Sequence, residues 1–308
     1  MTLLLWLVVF AVSLAVLIVA SDFFIASAEK VGAYLGIPSF VVGVIIVGLG
    51  TSLPELVSSI FAVTGGASEI VVGNVLGSNI TNILLVVGIG AVMTVSFEVG
   101  YDLLHLDIPF LLGSLVAITV MTMDGNFTTG EAVICLVLLA IYILQSFSTT
   151  DEEGKEEREK LKAITWTSLL LSPIAIFLGA KYTIDAVLKV SEMLKIGTEV
   201  IALSVVALGT SLPEVMVTIA AARRGNPDMV IGNVIGSNIF NTFAVMGIPA
   251  LFGKLKIPTI VNSFSSPMHF GVSLLFIIMI VDRRINRWEG FLLITLYIYF
   301  IGSLYKVI

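Results

Sequence analysis

A glutamate preceded by small hydroxyl residues occurs twice in this sequence, at the end of the hexapeptide GTSLPE. The first copy ends at Glu55 and the second at Glu214. A second block, GNVLGSNITN at 73–82, recurs as GNVIGSNIFN at 232–241. Both blocks are displaced by the same 159 residues. The chain therefore contains two copies of one unit, and each copy supplies a carboxylate accompanied by hydroxyl and amide side chains.

The composition places these motifs in a membrane. Of 308 residues, 57% are hydrophobic and 12% are charged, and the mean hydropathy is +1.08, whereas soluble domains carry about 25% charged residues. A net charge of −6 argues against nucleic-acid binding, which favours a basic face. Because a span needs about 20 apolar residues, we predict spans at Leu3–Ala20, Phe40–Val63, Ile70–Thr94, Asp107–Met123, Glu131–Phe147, Ile164–Ala180, Val200–Ala222, Met229–Phe252, Met268–Val281 and Trp288–Lys306.

Each half of the sequence contains an odd number of these spans, so the second half is predicted to lie upside down relative to the first. This is the construction of many secondary transporters. We predict a single all-α membrane domain of ten transmembrane helices in two inverted five-helix repeats, with broken helices at a central site. Repeat one covers about 1–147, a charged cytoplasmic linker about 148–163, and repeat two about 164–308.

The basic residues predict the orientation of the chain. With the N-terminus outside the cell membrane, ten of the 16 Lys and Arg residues fall on the cytoplasmic side, as the positive-inside rule requires. These ten are Lys30, Lys155, Arg158, Lys160, Lys162, Arg223, Arg224, Arg283, Arg284 and Arg287.

Both copies of the hexapeptide place a proline within a predicted span, at Pro54 and Pro213. Proline lacks an N–H group and clashes with the preceding turn, so it frees backbone carbonyls and bends a helix. Free carbonyls at membrane depth are tolerated where they are buried in protein or line a cavity. Two prolines at equivalent depth, each followed by a glutamate, therefore predict a polar site between the repeats.

Glu55 and Glu214 are the only ionisable residues predicted deep within a span, and no Lys or Arg is predicted at their depth. Charged side chains at the bilayer centre are costly and usually mark ion pathways or proton relays. Without a fixed basic partner, the two acids must be neutralised by a mobile positive ion, either a proton or a metal cation.

The neighbouring side chains favour a hard metal cation, because they offer oxygen rather than nitrogen or sulfur. Ca²⁺ takes about 6–8 oxygen ligands, whereas zinc and copper prefer imidazole or thiolate. The two histidines, His105 and His269, are predicted to lie on the surface. The oxygen-bearing residues are Thr51, Ser52, Ser78, Asn79, Asn82, Thr210, Ser211, Ser237, Asn238 and Asn241.

Other polar residues have simpler interpretations. Asp107, Glu131 and Glu289 lie at predicted span ends, where we expect solvation or helix capping. Cys135, the only cysteine, is predicted to be a small residue facing lipid or the core.

Several positions in the second block are predicted to support the site rather than bind an ion. Asn74 and Asn233 lie a turn before the candidate ligands, so we expect a supporting or helix-packing role. Gly73 and Gly77 have the small-x-x-x-small spacing that lets helices approach closely.

Taken together, GTSLPE and GNVLGSNITN with their second copies resemble the two alpha-repeats of the cation/calcium antiporter superfamily, and within it the prokaryotic sodium/calcium exchangers. The resemblance implies a secondary antiporter that exchanges cytosolic Ca²⁺ for extracellular Na⁺ by alternating access, with no prosthetic group. Its partners would be Ca²⁺, Na⁺ and the lipid bilayer, without nucleic acid or an obligate protein partner. An H⁺/Ca²⁺ antiporter, or an exchanger of another divalent cation, on the same fold is the alternative. An enzyme is not expected, because no His or Asp base is placed to activate Ser52 or Ser211.

The resemblance also implies roles for individual residues. Ca²⁺ would bind the carboxylates of Glu55 and Glu214 and the backbone carbonyls of Thr51 and Thr210. Flanking Na⁺ ions would bind hydroxyl and carbonyl oxygens of Ser52, Ser78, Ser211, Ser237, Gly48 and Ala207.

Asn82 would lie at the centre of this site. Its counterpart in the second repeat is commonly Asp in similar exchangers, but here it is Asn241. The site would therefore have two carboxylates rather than three, which argues against K⁺ co-transport.

Overall fold

The computed structural model describes residues 3–94, 97–98, 106–148, 161–193, 211–281 and 283–304. These residues form ten helices, each counted together with any π-helical turn that continues it. The helices are α1 (Leu3–Leu35), α2 (Ser39–Thr64), α3 (Glu69–Met93), α4 (Asp107–Met121), α5 (Thr129–Ser148), α6 (Ala163–Met193), α7 (Leu212–Arg223), α8 (Pro227–Ala250), α9 (Val261–Ile280) and α10 (Arg287–Leu304). Most of the predicted linker, together with His105, Ala207 and Thr210, lies outside the described residues.

Seven of the described helices are long and apolar enough to cross a membrane, namely α1, α2, α3, α5, α6, α8 and α9. Their burial separates central helices from peripheral ones. All residues in the apolar stretch of α8 are buried inside the protein, compared with 17% in α1. The helix α8 contacts α2, α3 and α7, while α1 packs along α6 at the periphery. The core is therefore built from α2, α3, α7 and α8.

Two helices extend beyond their predicted ends. The first span was predicted to end at Ala20, but α1 continues to Leu35. The fall in hydropathy at Ser21 and Asp22 does not stop the helix, because the stop signals come later. Gly36 adopts a positive φ of 72° and Pro38 follows it, which is a common way to end a helix. The sixth span likewise continues past Ala180 to the end of α6.

Two short antiparallel strand pairs link the connections between helices. Strand β1 (Phe97–Glu98) pairs with β4 (Arg284–Ile285), so the α3–α4 and α9–α10 connections meet at one end of the molecule. Strand β2 (Asn126–Phe127) pairs with β3 (Leu255–Lys256), which joins the α4–α5 and α8–α9 connections.

The helices α2 and α8 approach each other at backbone distance where glycines remove the side chains. A Cβ atom added to Gly236 would lie 2.6 Å from Val44 Cα, and one added to Gly43 would lie 2.6 Å from the Met229 carbonyl oxygen. Real Cβ atoms do not tolerate such contacts. The close helix packing predicted at Gly73 and Gly77 is wrong for the first copy of the block, since a Cβ added to either glycine would meet nothing within 4 Å. It occurs instead at the equivalent glycines of the second copy, Gly232 and Gly236, which pack against α2.

Three helices that form the core and one outer helix contain π-helical turns. These turns cover Gly43–Gly48 in α2, Asn82–Val87 in α3, Asn241–Val245 in α8 and Val261–Ser265 in α9. Such turns change the i→i−4 hydrogen-bonding pattern and are frequent at functional sites. Three of them begin or end at a predicted site residue: Gly48, Asn82 or Asn241.

The three acids at predicted span ends have different environments. Glu131 and Glu289 cap helices: their carboxylates accept hydrogen bonds from the backbone N–H groups of Thr128 (2.6 Å) and Asn286 (2.7 Å). The solvated or capping interpretation is wrong for Asp107, which is 2% exposed. It is buried because α5 brings the hydroxyl of Tyr142 to 2.8 Å from Asp107 Oδ1.

The predicted surface position of His269 is also wrong, since this residue is 3% exposed. The helix α9 begins at Val261 rather than at the predicted Met268, so His269 lies well inside a packed helix instead of at its end. Cys135 is buried beside Met121, with a distance of 3.8 Å between their sulfur atoms.

Candidate ion-binding site

The duplicated blocks come together where the four core helices meet. Glu55 lies on α2 and Glu214 in the first turn of α7. The serines and asparagines of the second block lie four residues apart on α3 and α8, so each pair shares one helix face. These pairs are Ser78 with Asn82 and Ser237 with Asn241.

The two glutamates are buried acids without partners. Each is 1% exposed, and neither oxygen of either carboxylate accepts a hydrogen bond. The carboxylates lie close enough to interact electrostatically. Among the described residues, the ion pairs lie elsewhere, for example between Arg224 and Glu29. The described part of the protein thus supplies no fixed cation to either acid.

Further oxygen atoms around the acids also lack hydrogen-bond partners. Leaving such a group buried and unpaired costs about 1–3 kcal/mol, so a group of them indicates a site for a ligand that accepts their lone pairs. These atoms are the hydroxyl oxygens of Ser52, Ser78 and Ser211 and the amide oxygens of Asn82 and Asn241, all on residues at most 3% exposed.

The atoms available to bind a cation are hard oxygen ligands. In the described ranges, no cluster of three or more His, Cys, Asp or Glu residues could hold a metal ion. The unpaired atoms are carboxylate, hydroxyl and amide oxygens, which are typical ligands of Ca²⁺ and other hard cations. The geometry therefore fits an oxygen-rich site based on two carboxylates rather than a transition-metal site.

Asn79 and Asn238 have a structural role that the sequence did not predict. Each donates from Nδ2 to the backbone carbonyl of the other, at 3.4 and 3.3 Å. Asn79 Oδ1 also accepts from Asn241 Nδ2, and Asn238 Oδ1 from Asn82 Nδ2, both at 3.1 Å. These bonds hold α3 against α8. With their amide nitrogens occupied, Asn82 and Asn241 keep their Oδ1 atoms unpaired.

A second polar cluster joins α2 to α8. The Gly48 carbonyl accepts hydrogen bonds from Thr51 Oγ1 and Ser237 Oγ, each at 3.3 Å. A hydroxyl has one proton, so the Thr51 proton is shared between the Gly48 carbonyl and Asn233 Oδ1. Asn233 Oδ1 accepts from Thr51 at 3.4 Å, and Asn233 Nδ2 donates to Thr218 Oγ1 at 3.3 Å.

The structure brings together nine of the twelve predicted site residues as buried side chains: Thr51, Ser52, Glu55, Ser78, Asn82, Ser211, Glu214, Ser237 and Asn241. Gly48 lies beside them and is also buried. Ala207 and Thr210 belong to a segment outside the described residues.

Residues 5–148 and 164–306 match the family described as sodium/calcium exchanger protein. The chain belongs to the sodium/calcium exchanger family. This exchanger is 32% identical to the sodium/calcium exchanger MaX1 of Methanosarcina acetivorans, over 96% of the chain and 97% of the relative. It is 34% identical to a membrane protein of Methanocaldococcus jannaschii, over 96% of each protein.

The fold of the exchanger also matches solved structures of the sodium-calcium exchanger NCX_Mj. The match to NCX_Mj soaked with zero Na⁺ and Ca²⁺ has a TM-score of 0.87 at 32% identity, and covers 98% of this chain and 100% of that chain. These findings confirm the predicted helical membrane fold, the resemblance to prokaryotic sodium/calcium exchangers, and the interpretation as a transporter rather than an enzyme.

Proposed function

We infer that this protein is a secondary antiporter that exchanges Ca²⁺ for Na⁺ across the cell membrane. The observation that carries the inference is the pair of buried carboxylates, Glu55 and Glu214, with all four oxygens unpaired. The family membership supports the choice of ions.

Charge balance explains why such a site would exchange ions rather than leak them. Two ionised carboxylates carry a charge of about −2, which makes reorientation of the empty site costly at the centre of the bilayer. One Ca²⁺ neutralises this charge, and several Na⁺ ions can do the same when they are distributed over the surrounding oxygens. Reorientation then occurs only in the loaded states, which is the coupling rule of an antiporter.

We further propose that the chain is one membrane domain of two inverted five-helix repeats, about 1–147 and about 164–308, with broken helices at the central site. The 159-residue offset supports this arrangement, as do the two separate family matches. The reciprocal bonds between Asn79 and Asn238 are those expected of a local two-fold relation. The π-helical turns and Pro54 are consistent with interrupted helices.

The proposed orientation places the N-terminus outside and the linker in the cytoplasm. It follows from the distribution of Lys and Arg. The pairing of β1 with β4 and of β2 with β3 agrees with loops that alternate between the two sides.

We assign Ca²⁺ to the carboxylates of Glu55 and Glu214 and the carbonyls of Thr51 and Thr210, following the family resemblance. Na⁺ is assigned to the oxygens of Ser52, Ser78, Ser211 and Ser237 and the carbonyls of Gly48 and Ala207, with Asn82 and Asn241 completing the centre. The unpaired atoms support this for three of the four serines, Ser52, Ser78 and Ser211, and for both asparagines, whereas Ser237 donates to the Gly48 carbonyl.

Alternating access is proposed to arise from movement of α1 and α6 across the core. The two helices pack as a pair: Thr183 Oγ1 donates to Ser13 Oγ at 2.9 Å, and a Cβ on Gly179 would lie 3.0 Å from Leu17. Their long mutual contact and peripheral position suit them to move as one unit.

Ion gradients test the proposed function directly. In proteoliposomes, an outward Na⁺ gradient is expected to drive uptake of radiolabelled Ca²⁺, while K⁺ or pH gradients of equal size do not. The same vesicles without protein provide the control. Uptake driven by the pH gradient in the absence of Na⁺ would select the H⁺/Ca²⁺ alternative, and uptake without any counter-ion gradient would contradict antiport.

Restoring a third carboxylate tests the role of Asn241. The substitution Asn241→Asp adds a negative charge beside the unpaired oxygens, so we expect the Na⁺ concentration for half-maximal exchange to fall by roughly a factor of ten, as ligand charge tunes cation sites. The Na⁺ dependence of Ca²⁺ uptake measures this change. Asn226→Asp, at the α7–α8 turn outside the site, is the matched control. An unchanged Na⁺ dependence in Asn241→Asp would remove Asn241 from the site.

A further inference from the structure

The polar residues one helical turn beyond the site are hydrogen-bonded in one repeat and unbonded in the other. On the α7–α8 side, Asn233 Nδ2 donates to Thr218 Oγ1 at 3.3 Å. Ser237 Oγ lies 3.5 Å from Asn233 Oδ1. Thr218 and Asn233 are each 1% exposed. The first of these contacts joins α7 to α8 one helical turn from Glu214, in the direction of Arg223 at the end of α7.

The equivalent residues in the first repeat, at the 159-residue offset, are Ser59, Asn74 and Ser78. The hydroxyls of Ser59 and Ser78 are buried, and neither has a hydrogen-bond partner. Asn74 is half-buried rather than enclosed. The contacts that Asn233 on α8 makes with Thr218 and Ser237 therefore have no counterpart between Asn74 on α3 and the hydroxyls of Ser59 and Ser78.

This difference between equivalent residues has an energetic consequence. A buried hydroxyl without a partner is unfavourable by about 1–3 kcal/mol, so Ser59 is costly unless it acquires a partner in another state. Asn74 is the candidate partner, because Ser59 follows Glu55 by one helical turn, just as Thr218 follows Glu214. In the second repeat, that position is bonded to the asparagine that corresponds to Asn74.

We propose that Ser59–Asn74 and Thr218–Asn233 are matched gates that close alternately on the two sides of the ion site. The present structure has the Thr218–Asn233 gate bonded and the Ser59–Asn74 gate unbonded. In the opposite state, the Ser59 hydroxyl accepts from Asn74, and the Thr218–Asn233 bond is broken. These four are positioning residues: they determine from which side of the membrane ions have access to Glu55 and Glu214. The proposal rests on the alternating access proposed above.

The test measures how a substitution at Ser59 changes access to Thr218 in the other repeat, which a purely structural role of Ser59 would not affect. Ser59 makes no side-chain hydrogen bond in the present structure, so Ser59→Ala removes nothing from this state and acts only on the opposite one. Loss of one hydrogen bond from a minor state lowers its population by about fivefold. The opening of the Thr218–Asn233 gate should therefore become about fivefold rarer.

A thiol at position 218 reports whether this position can be reached from either side of the membrane. Because Thr218→Cys itself removes the Thr218 hydroxyl, the effect of Ser59→Ala is measured as a ratio of rates within the Thr218→Cys background. Thr218→Cys is prepared with Cys135→Ala, so that the introduced thiol is the only one, and is reconstituted in liposomes without an ion gradient. A charged, membrane-impermeant methanethiosulfonate reagent is then supplied to each side separately. We expect modification from one side only, and about fivefold slower modification when Ser59→Ala is added. Ser58→Ala is the matched control, because the neighbouring hydroxyl already donates to the Glu55 carbonyl at 3.0 Å.

Equal modification rates with Ser59→Ala and Ser58→Ala would overturn the proposal. So would modification from both sides at equal rates, or no modification under any condition. Because the assay requires no transport, its failure is distinct from a failure of Na⁺-driven Ca²⁺ uptake. The gate proposal can be refuted while exchange persists, and exchange can be refuted while the modification rates still support the gates.

Discussion

Replacing either buried glutamate by glutamine is expected to abolish Na⁺-driven Ca²⁺ uptake, with a loss of about a hundredfold or more, while the protein remains folded. Glutamine keeps the shape of the side chain but removes one of the two negative charges at Glu55 or Glu214. A Ca²⁺ ion would then leave about one uncompensated positive charge in the interior of the membrane, where charges are costly. The amide would also present a donor where the ion requires an acceptor.

The measurement compares radiolabelled Ca²⁺ uptake by Glu55→Gln, Glu214→Gln and the unmodified exchanger in proteoliposomes. Glu69→Gln is the matched control: Glu69 is an exposed acid in the first turn of α3, and its replacement should leave uptake unchanged. Retention of size-exclusion behaviour and helical content shows that the variants fold. Full uptake by either site variant would remove that glutamate from the ion site.

Adding one methyl group at Gly236 is expected to destabilise the protein by about 3 kcal/mol, at the upper end of the range for overpacking. The Cβ atom of Gly236→Ala would lie 2.6 Å from Val44 Cα and 2.8 Å from the Val44 carbonyl carbon. These are backbone atoms, so no side-chain rotation relieves the overlap, and α8 must move away from α2. The displacement would carry Ser237 and the Thr51–Asn233 contact with it.

Thermal unfolding of the purified protein in detergent measures this loss as a lower midpoint. Gly271→Ala on α9 is the control, because a Cβ there meets no described atom within 4 Å. That substitution should be neutral or slightly stabilising, since alanine favours helix more than glycine. Equal midpoints for the two variants would show that α2 and α8 do not depend on this close approach.

The functional chemistry of this protein could be predicted from its sequence because burial of a charge in a membrane has few explanations. Glu55 and Glu214 occur in a repeated motif inside apolar stretches that offer no basic partner, so a mobile cation follows from local composition alone. The oxygen-bearing side chains around them excluded transition metals in the same way. Helix number was also predictable, because spans are defined by apolar length.

The errors occurred where the outcome depends on contacts between distant segments. Asp107 was predicted to be solvated or capping because it lies at a span end, but its burial depends on Tyr142 of the next helix. His269 was predicted to be exposed. It is buried because α9 begins at Val261, well before Met268, where the span was predicted to begin. Local hydropathy contains no information about the contact with Tyr142 or about where α9 begins.

The sequence alone therefore determined which residues bear charge, that the fold is a helical membrane protein of about ten helices, and which chemical class of ligand the charged residues suit, since these follow from residue type and periodicity. Only the tertiary structure decided how the asparagines share their hydrogen bonds. Asn79 and Asn238 bind each other across α3 and α8, Asn82 and Asn241 keep free oxygens, and Asn233 is bonded where Asn74 is not. The reason is physical: a hydrogen bond exists only at about 3 Å, and that distance depends on how segments far apart in the sequence pack against each other.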